Sequence, residues 1–118
     1  MTPDLAEIRE LLTAERAHTR ERIAALDRNV SAIVEGTRDT ATDDEHDPEG
    51  STIAFERSQA VALLASAHER LTDIDAALGR LEEGTYGRCE TCAGPIATER
   101  LLARPTARTC IGCASRRR

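Results

Sequence analysis

The sequence predicts a mainly α chain: an antiparallel two-helix coiled-coil hairpin with a C-terminal four-cysteine finger. Three observations predict it. Over two long segments apolar residues recur in alternating steps of four and three, the rhythm of a coiled-coil seam. One breaker-rich stretch, TDDEHDPEG at 42–50, lies between them. Two Cys-x-x-Cys pairs follow the second segment. A chain of 118 residues is one domain, or one domain with a small appendage. The expected division is a helical hairpin over 1–83, with an acidic tip near 39–50, and a finger with a basic tail over 84–118.

The first helix is expected to open at Pro3-Asp4, with Thr2 as N-cap and Pro3 at the first helical position. Its seam reads Leu5, Arg9, Leu12, Arg16, Thr19, Ile23, Leu26, Val30 and Ile33. The second helix is expected to start with Asp47 as N-cap and Pro48 as first helical residue. Its seam reads Ile53, Arg57, Ala60, Leu64, Ala67, Leu71, Ile74, Leu78 and Leu81, and Gly84 supplies a stop. Folding the chain back near Asp43 sets Ile33 opposite Ile53, Leu26 opposite Ala60, Leu12 opposite Ile74 and Leu5 opposite Leu81. Each arm would then be roughly 50 Å long. Phe55 and Tyr86 are the only aromatics, so packing must come from alanine, leucine and isoleucine at the seam. Leu11, Val61 and Leu63 lie off the seam, where they leave dimerisation open.

Cys89 and Cys92 are separated from Cys110 and Cys113 by seventeen residues. A two-residue gap lets both thiolates of a pair reach one ion, and zinc favours four of them in a tetrahedron. One structural Zn²⁺ is expected; a thiol switch, or iron in the same site, are the alternatives. A site filled by four protein ligands leaves no open position for water or substrate. With no phosphate-cradling glycine loop and no nucleophile beside a base either, the reading is that the chain is not an enzyme. Metal binding of about 10–16 kcal/mol exceeds what Ile96, Leu101, Leu102 and Ile111 supply by burial. These side chains are expected to dock the finger on the open end of the hairpin near Leu5, Leu78 and Leu81.

Charge is polarised along the sequence. Residues 35–49 carry seven acids against Arg38, and residues 84–118 carry seven arginines against Glu90 and Glu99. The basic end, with Arg104 and the Arg116-Arg117-Arg118 tail, suggests phosphate or partner contacts, or simply neutralises the metal–thiolate cluster. It has no aromatic stacking platform. His46 among the tip acids lacks the loop spacing of a calcium site. His18 and His68 are expected in solvent. The N-terminus is polar from Thr2 and no apolar run approaches a membrane span, so the expected location is cytoplasmic, where cysteines serve as metal ligands more than as disulfides.

A helical hairpin with an acidic tip, followed by GTYGRCETC and RLLARPTARTCIGC, resembles the DksA/TraR family of C4-type zinc-finger transcription regulators. The resemblance is closest over Gly84–Cys113 and extends through the hairpin. It implies direct binding to RNA polymerase without sequence-specific DNA binding. The hairpin would enter the secondary channel, with Asp43, Asp44 and Asp47 reaching toward the active-site region. The family tip often reads Asp-x-x-Asp-x-Ala. Here Asp44 and Asp47 supply both acids with Glu49 in place of the alanine, while the register from Asp47 puts Gly50 at the second acid. Family members that respond to ppGpp use basic residues on the second helix, in the finger and just after it. Asp73, Asp75 and Ala114 stand in that neighbourhood here, which leaves Arg104 and counts against ppGpp cooperation. Only five residues follow Cys113, so weaker polymerase affinity than in longer members is expected. The alternative function is a zinc-finger interaction module that binds nucleic acid, or a ribosomal or other protein partner, through its basic end.

Overall fold

The computed structural model describes residues 4–39 and 48–116. Four helices follow in order: α1 (Leu5–Asp39), α2 (Pro48–Glu83), α3 (Thr98–Ala103) and α4 (Ile111–Arg116). Among the described residues there is no named strand, only an antiparallel bridge between Arg88 and Pro95. The mainly helical reading, a long hairpin with clustered cysteines, is borne out.

The helix ends follow from local chemistry. Asp4 Oδ1 accepts from the amides of Ala6 at 3.1 Å and Glu7 at 3.4 Å. Asp4 therefore caps α1 and Leu5 begins it, two residues later than the reading that made Thr2 the cap. Thr2 and Pro3 lie outside the described residues. α2 begins at Pro48 as expected, since proline lacks the amide that the first helical position leaves unpaired. It ends at Glu83 because Gly84 takes φ = 78°, which costs a residue without Cβ little. The Thr85 amide then donates to Arg80 O at 2.9 Å and the Gly84 amide to Leu81 O at 3.4 Å. This pair of bonds is the Schellman pattern.

The chain forms two compact units, one made of Met1–Ala17 with Leu71–Arg118 and the other of His18–Arg70. In the first, Ile8, Leu12, Ile74, Ala77 and Leu81 form a buried cluster with Leu78 and Tyr86 packed on it. Arg9 pairs with Glu82 at 3.8 Å and Arg16 with Asp75 at 2.8 Å. The α2 partner falls in number as the α1 partner rises, so these segments run antiparallel. Leu12 and Ile74 share this core, as the register requires. The α1 seam differs at its start: Ile8 is fully buried while Leu5 is 47% exposed, and Arg9 and Arg16 serve as flanking ion pairs.

In the second unit the sheltered positions of α1 are Thr19, Ile23, Leu26, Val30 and Ile33, and those of α2 are Ile53, Ala60, Leu64 and Ala67. These are seam positions of the sequence; only Arg57 is exposed instead. Leu11, Val61 and Leu63 are exposed, as are His18 and His68. The acidic tip, with Asp43, Asp44, His46 and Asp47, lies outside the described residues.

Candidate metal centre

Two short segments bring the four cysteines together. In the first, the backbone reverses between Gly87 and Ile96. The Ile96 amide donates to Gly87 O at 2.8 Å and the Cys89 amide to Gly94 O at 2.8 Å. The reversal needs left-handed backbone at Gly87 (φ = 85°) and at Ala93 (φ = 63°). Gly87 also lies under Leu101, whose Cδ1 would be 3.5 Å from an added Cβ. Within the turn the Gly94 amide points at Cys92 Sγ, 3.4 Å away.

The second segment is a helix start. Cys110 precedes α4, and its Sγ accepts from the Cys113 amide at 3.5 Å, as an N-cap oxygen would. The Ala114 amide donates to Cys110 O at 2.9 Å. Glu90 N donates to Arg108 O at 2.9 Å, which joins the segment of the first pair to that of the second.

All four Sγ atoms lie within 4.8 Å of one another. Zinc–sulfur bonds of about 2.3 Å set tetrahedral sulfur separations of about 3.8 Å, and Cys92 Sγ and Cys110 Sγ are 3.9 Å apart. The donor set and its spacing fit one Zn²⁺, which Cys89, Cys92, Cys110 and Cys113 would hold. Bound there, zinc supplies structure: four thiolates complete its shell. Two amides aimed at sulfur and Arg116 Nη2 at 3.6 Å from Cys113 Sγ offset the negative charge of the cluster.

Without metal the thiols share protons unequally. Backbone N–H groups at Cys92 and then Cys110 lower Cys89 to about 6. The hydrogen bond with the Cys110 sulfur, then burial, raises Cys113 to about 12. Hydrogen bonding from Cys113 lowers Cys110.

The finger has its own small core. Cys89, Ile96, Leu101, Ala107 and Cys113 are buried together, with Tyr86 and Cys110 against them. Ile96 and Leu101 thus pack inside the finger, contrary to the expectation that they dock it on the hairpin. Leu102 and Ile111 are 46% and 65% exposed, so they do not dock it either. The docking contact is Tyr86, which packs on both the finger core and the hairpin core. Its hydroxyl donates to Pro105 O at 2.7 Å, and burial raises its pKa, which keeps that proton in place. Sequence reasoning missed this role. Its signal was the single aromatic between the helix stop and the first cysteine.

Among the described residues, Arg104 and Arg116 line different clefts. Arg104 caps the end of α3 and lines a polar cleft of about 560 Å³ with Arg100, Arg108, Asp73 and Glu90. Arg108 already contacts Asp73 at 3.5 Å and Glu90 at 3.6 Å, and Arg100 Nε donates to Thr109 O at 2.8 Å. Arg116 lines a different cleft beside Cys113. Arg117 and Arg118 lie outside the described residues. No helix among the described residues is long and apolar enough to cross a membrane.

Residues 84–118 match the family described as prokaryotic dksA/traR C4-type zinc finger. A protein of Bacillus subtilis, YteA, is 42% identical over 66 residues, which are 56% of this chain and 28% of that protein. The RNA polymerase-binding transcription factor DksA of Caulobacter vibrioides is 54% identical over 37 residues, 31% of this chain and 26% of its own length. The chain thus spans less than a third of either relative. The structure of transcription factor DksA2 from Pseudomonas aeruginosa is similar throughout, with a TM-score of 0.78 and 29% identity over 98% of this chain and 89% of that one. The resemblance read in the sequence holds for finger and fold together: residues 84–118 match the dksA/traR C4-type zinc-finger family, and the fold of the chain is similar to that of DksA2.

Proposed function

We propose that this protein binds RNA polymerase directly and modulates transcription initiation, with the acidic tip of its hairpin inserted in the secondary channel. The observation that carries the reading is the likeness to DksA2 over 98% of the chain, which includes the hairpin as well as the finger. Asp43, Asp44 and Asp47 would be the effector groups. A channel that leads to catalytic Mg²⁺ and basic side chains attracts carboxylates, and opposite charge speeds and orients docking. The finger takes no part in chemistry; it holds the base of the hairpin. The cytoplasm is the compartment this role requires.

The alternative, an interaction module working through the basic end, has less support. Arg100, Arg108 and Arg116 are engaged within the chain. The cleft around Arg104 also holds Asp73 and Glu90, so the proposal does not include ppGpp. The test is equilibrium binding of the zinc-loaded protein to core RNA polymerase, with a known secondary-channel occupant as competitor. Competition is expected. No binding at low salt would sink the proposal, and loss of a partner on removing Arg116–Arg118 would favour the basic-end alternative.

A further inference from the structure

Three ties run from the helix side of the finger to one short loop. Tyr86 donates to Pro105 O, Arg80 Nη2 approaches Thr106 O at 3.5 Å, and Asp73 receives Arg108. All three partners fall in 105–108, directly ahead of Cys110. The finger core that holds this loop has five buried members, and two of them are the metal ligands Cys89 and Cys113. A core so small and so dependent on thiolates cannot fix the loop without the ion. The Asp73–Arg108 ion pair is exposed and contributes little, and the Arg80 contact is long at 3.5 Å. The ring of Tyr86, by contrast, is packed on both cores at once.

We infer that Tyr86 transmits metal occupancy from the finger to the base of the hairpin. With zinc bound, the loop holds the Tyr86 hydroxyl and the Tyr86 ring packs on the cluster of Ile8, Leu12, Ile74, Ala77 and Leu81. Without zinc the loop loosens, Tyr86 loses its backing, and the base frays. The response stops at the boundary of the compact unit, so residues 23–33 and 53–67 keep their protection. Metal supply would then set the order of the helix segments next to the finger and leave the remainder of the hairpin unchanged.

The test is amide hydrogen exchange on the full chain, zinc-loaded and chelator-stripped, in wild type, Tyr86→Ala and Tyr86→Phe. In wild type, stripping should accelerate exchange at 8–16 and 74–82 by about ten-fold or more, and at 23–33 and 53–67 by less than about two-fold. Tyr86→Ala should exchange rapidly at the base whether or not zinc is bound. Tyr86→Phe keeps the ring and should retain most of the metal response. Three results would overturn the inference: a wild-type base indifferent to zinc, equal acceleration at 23–33 and 53–67, or an undiminished metal response in Tyr86→Ala. If Tyr86→Ala does not fold, the paired wild-type measurements and Tyr86→Phe still decide.

Discussion

The unit that contains the finger and the unit formed by His18–Arg70 are built from the same two helices, yet they are stabilised differently. The first buries large side chains completely: Ile8, Leu12, Ile74 and Leu101 are 0–1% exposed. Among the described residues of the second, only the small side chains of Thr19, Ala60 and Ala67 are buried, at 4–6% exposure, while Ile23, Leu26, Val30, Ile33 and Leu64 stay half-buried. Two helices alone cannot surround a leucine. Where the finger adds Tyr86 as a third wall, they can. Complete burial of such a side chain is worth about 1.5–3 kcal/mol, so the finger unit is the anchor and the remaining hairpin is held by many partial contacts.

Removing the metal should break the comparison most severely. Changing Cys89 and Cys113 to serine should abolish zinc binding, a loss of about 10–16 kcal/mol of binding energy, with one Zn²⁺ per chain in wild type and none in the variant by metal analysis. Leu12→Ala should destabilise the finger unit by about 2–5 kcal/mol in urea unfolding. Leu26→Ala, half-buried in the other unit, should cost only about 1 kcal/mol. Equal losses would show that the two cores are not different in kind.

Acid gives a graded version of the same test. Zinc requires all four thiolates. Cys89, lowered to about 6, is ionised in neutral solution, so the stability its thiolate lends to the metal-free fold is present above the ordinary thiol value of 9.0 and lost as pH falls through about 6. Cys113, raised to about 12, behaves oppositely: its contribution is present below 9.0 and lost as pH rises through about 12. Zinc must therefore expel the Cys113 proton at neutral pH. Below about pH 6 it must expel the Cys89 proton as well. Chelator competition should show the pH slope of zinc affinity steepening by one proton, about ten-fold per unit, as pH falls through that point. The smallest effect should be that of Arg108→Gln. It removes exposed ion pairs to Asp73 and Glu90 and should cost about 0–1 kcal/mol in the same urea measurement.

Much of this was legible in the sequence because the period of a seam and the spacing of cysteines are local signals. Ile23, Leu26, Val30 and Ile33 are sheltered where the rhythm puts them, and the four sulfurs meet as their spacing requires. The start of α1 was ambiguous for a physical reason. LAEIRELL offers large apolar residues at 5, 8, 11 and 12, which satisfy two phases of one period, and the phase through Leu5 and Arg9 was the wrong one. Ile8 fills the core because it lies one turn from Leu12 on the face toward Ile74. The inward packing of Ile96 and Leu101 and the bridging by Tyr86 depend on contacts between segments distant in sequence, which no periodicity records. The cap at Asp4 was missed because Thr2-Pro3 offers the same chemistry two residues earlier.

The central claim is that the acidic tip is the effector and the rest of the molecule positions it. The most direct test is the lifetime of promoter open complexes with wild type and with the Asp43→Asn, Asp44→Asn, Asp47→Asn triple variant, both at concentrations that saturate core polymerase. The account predicts that wild type changes the lifetime, while the variant binds and competes for the secondary channel equally well yet leaves the lifetime unchanged. A variant as active as wild type would contradict it.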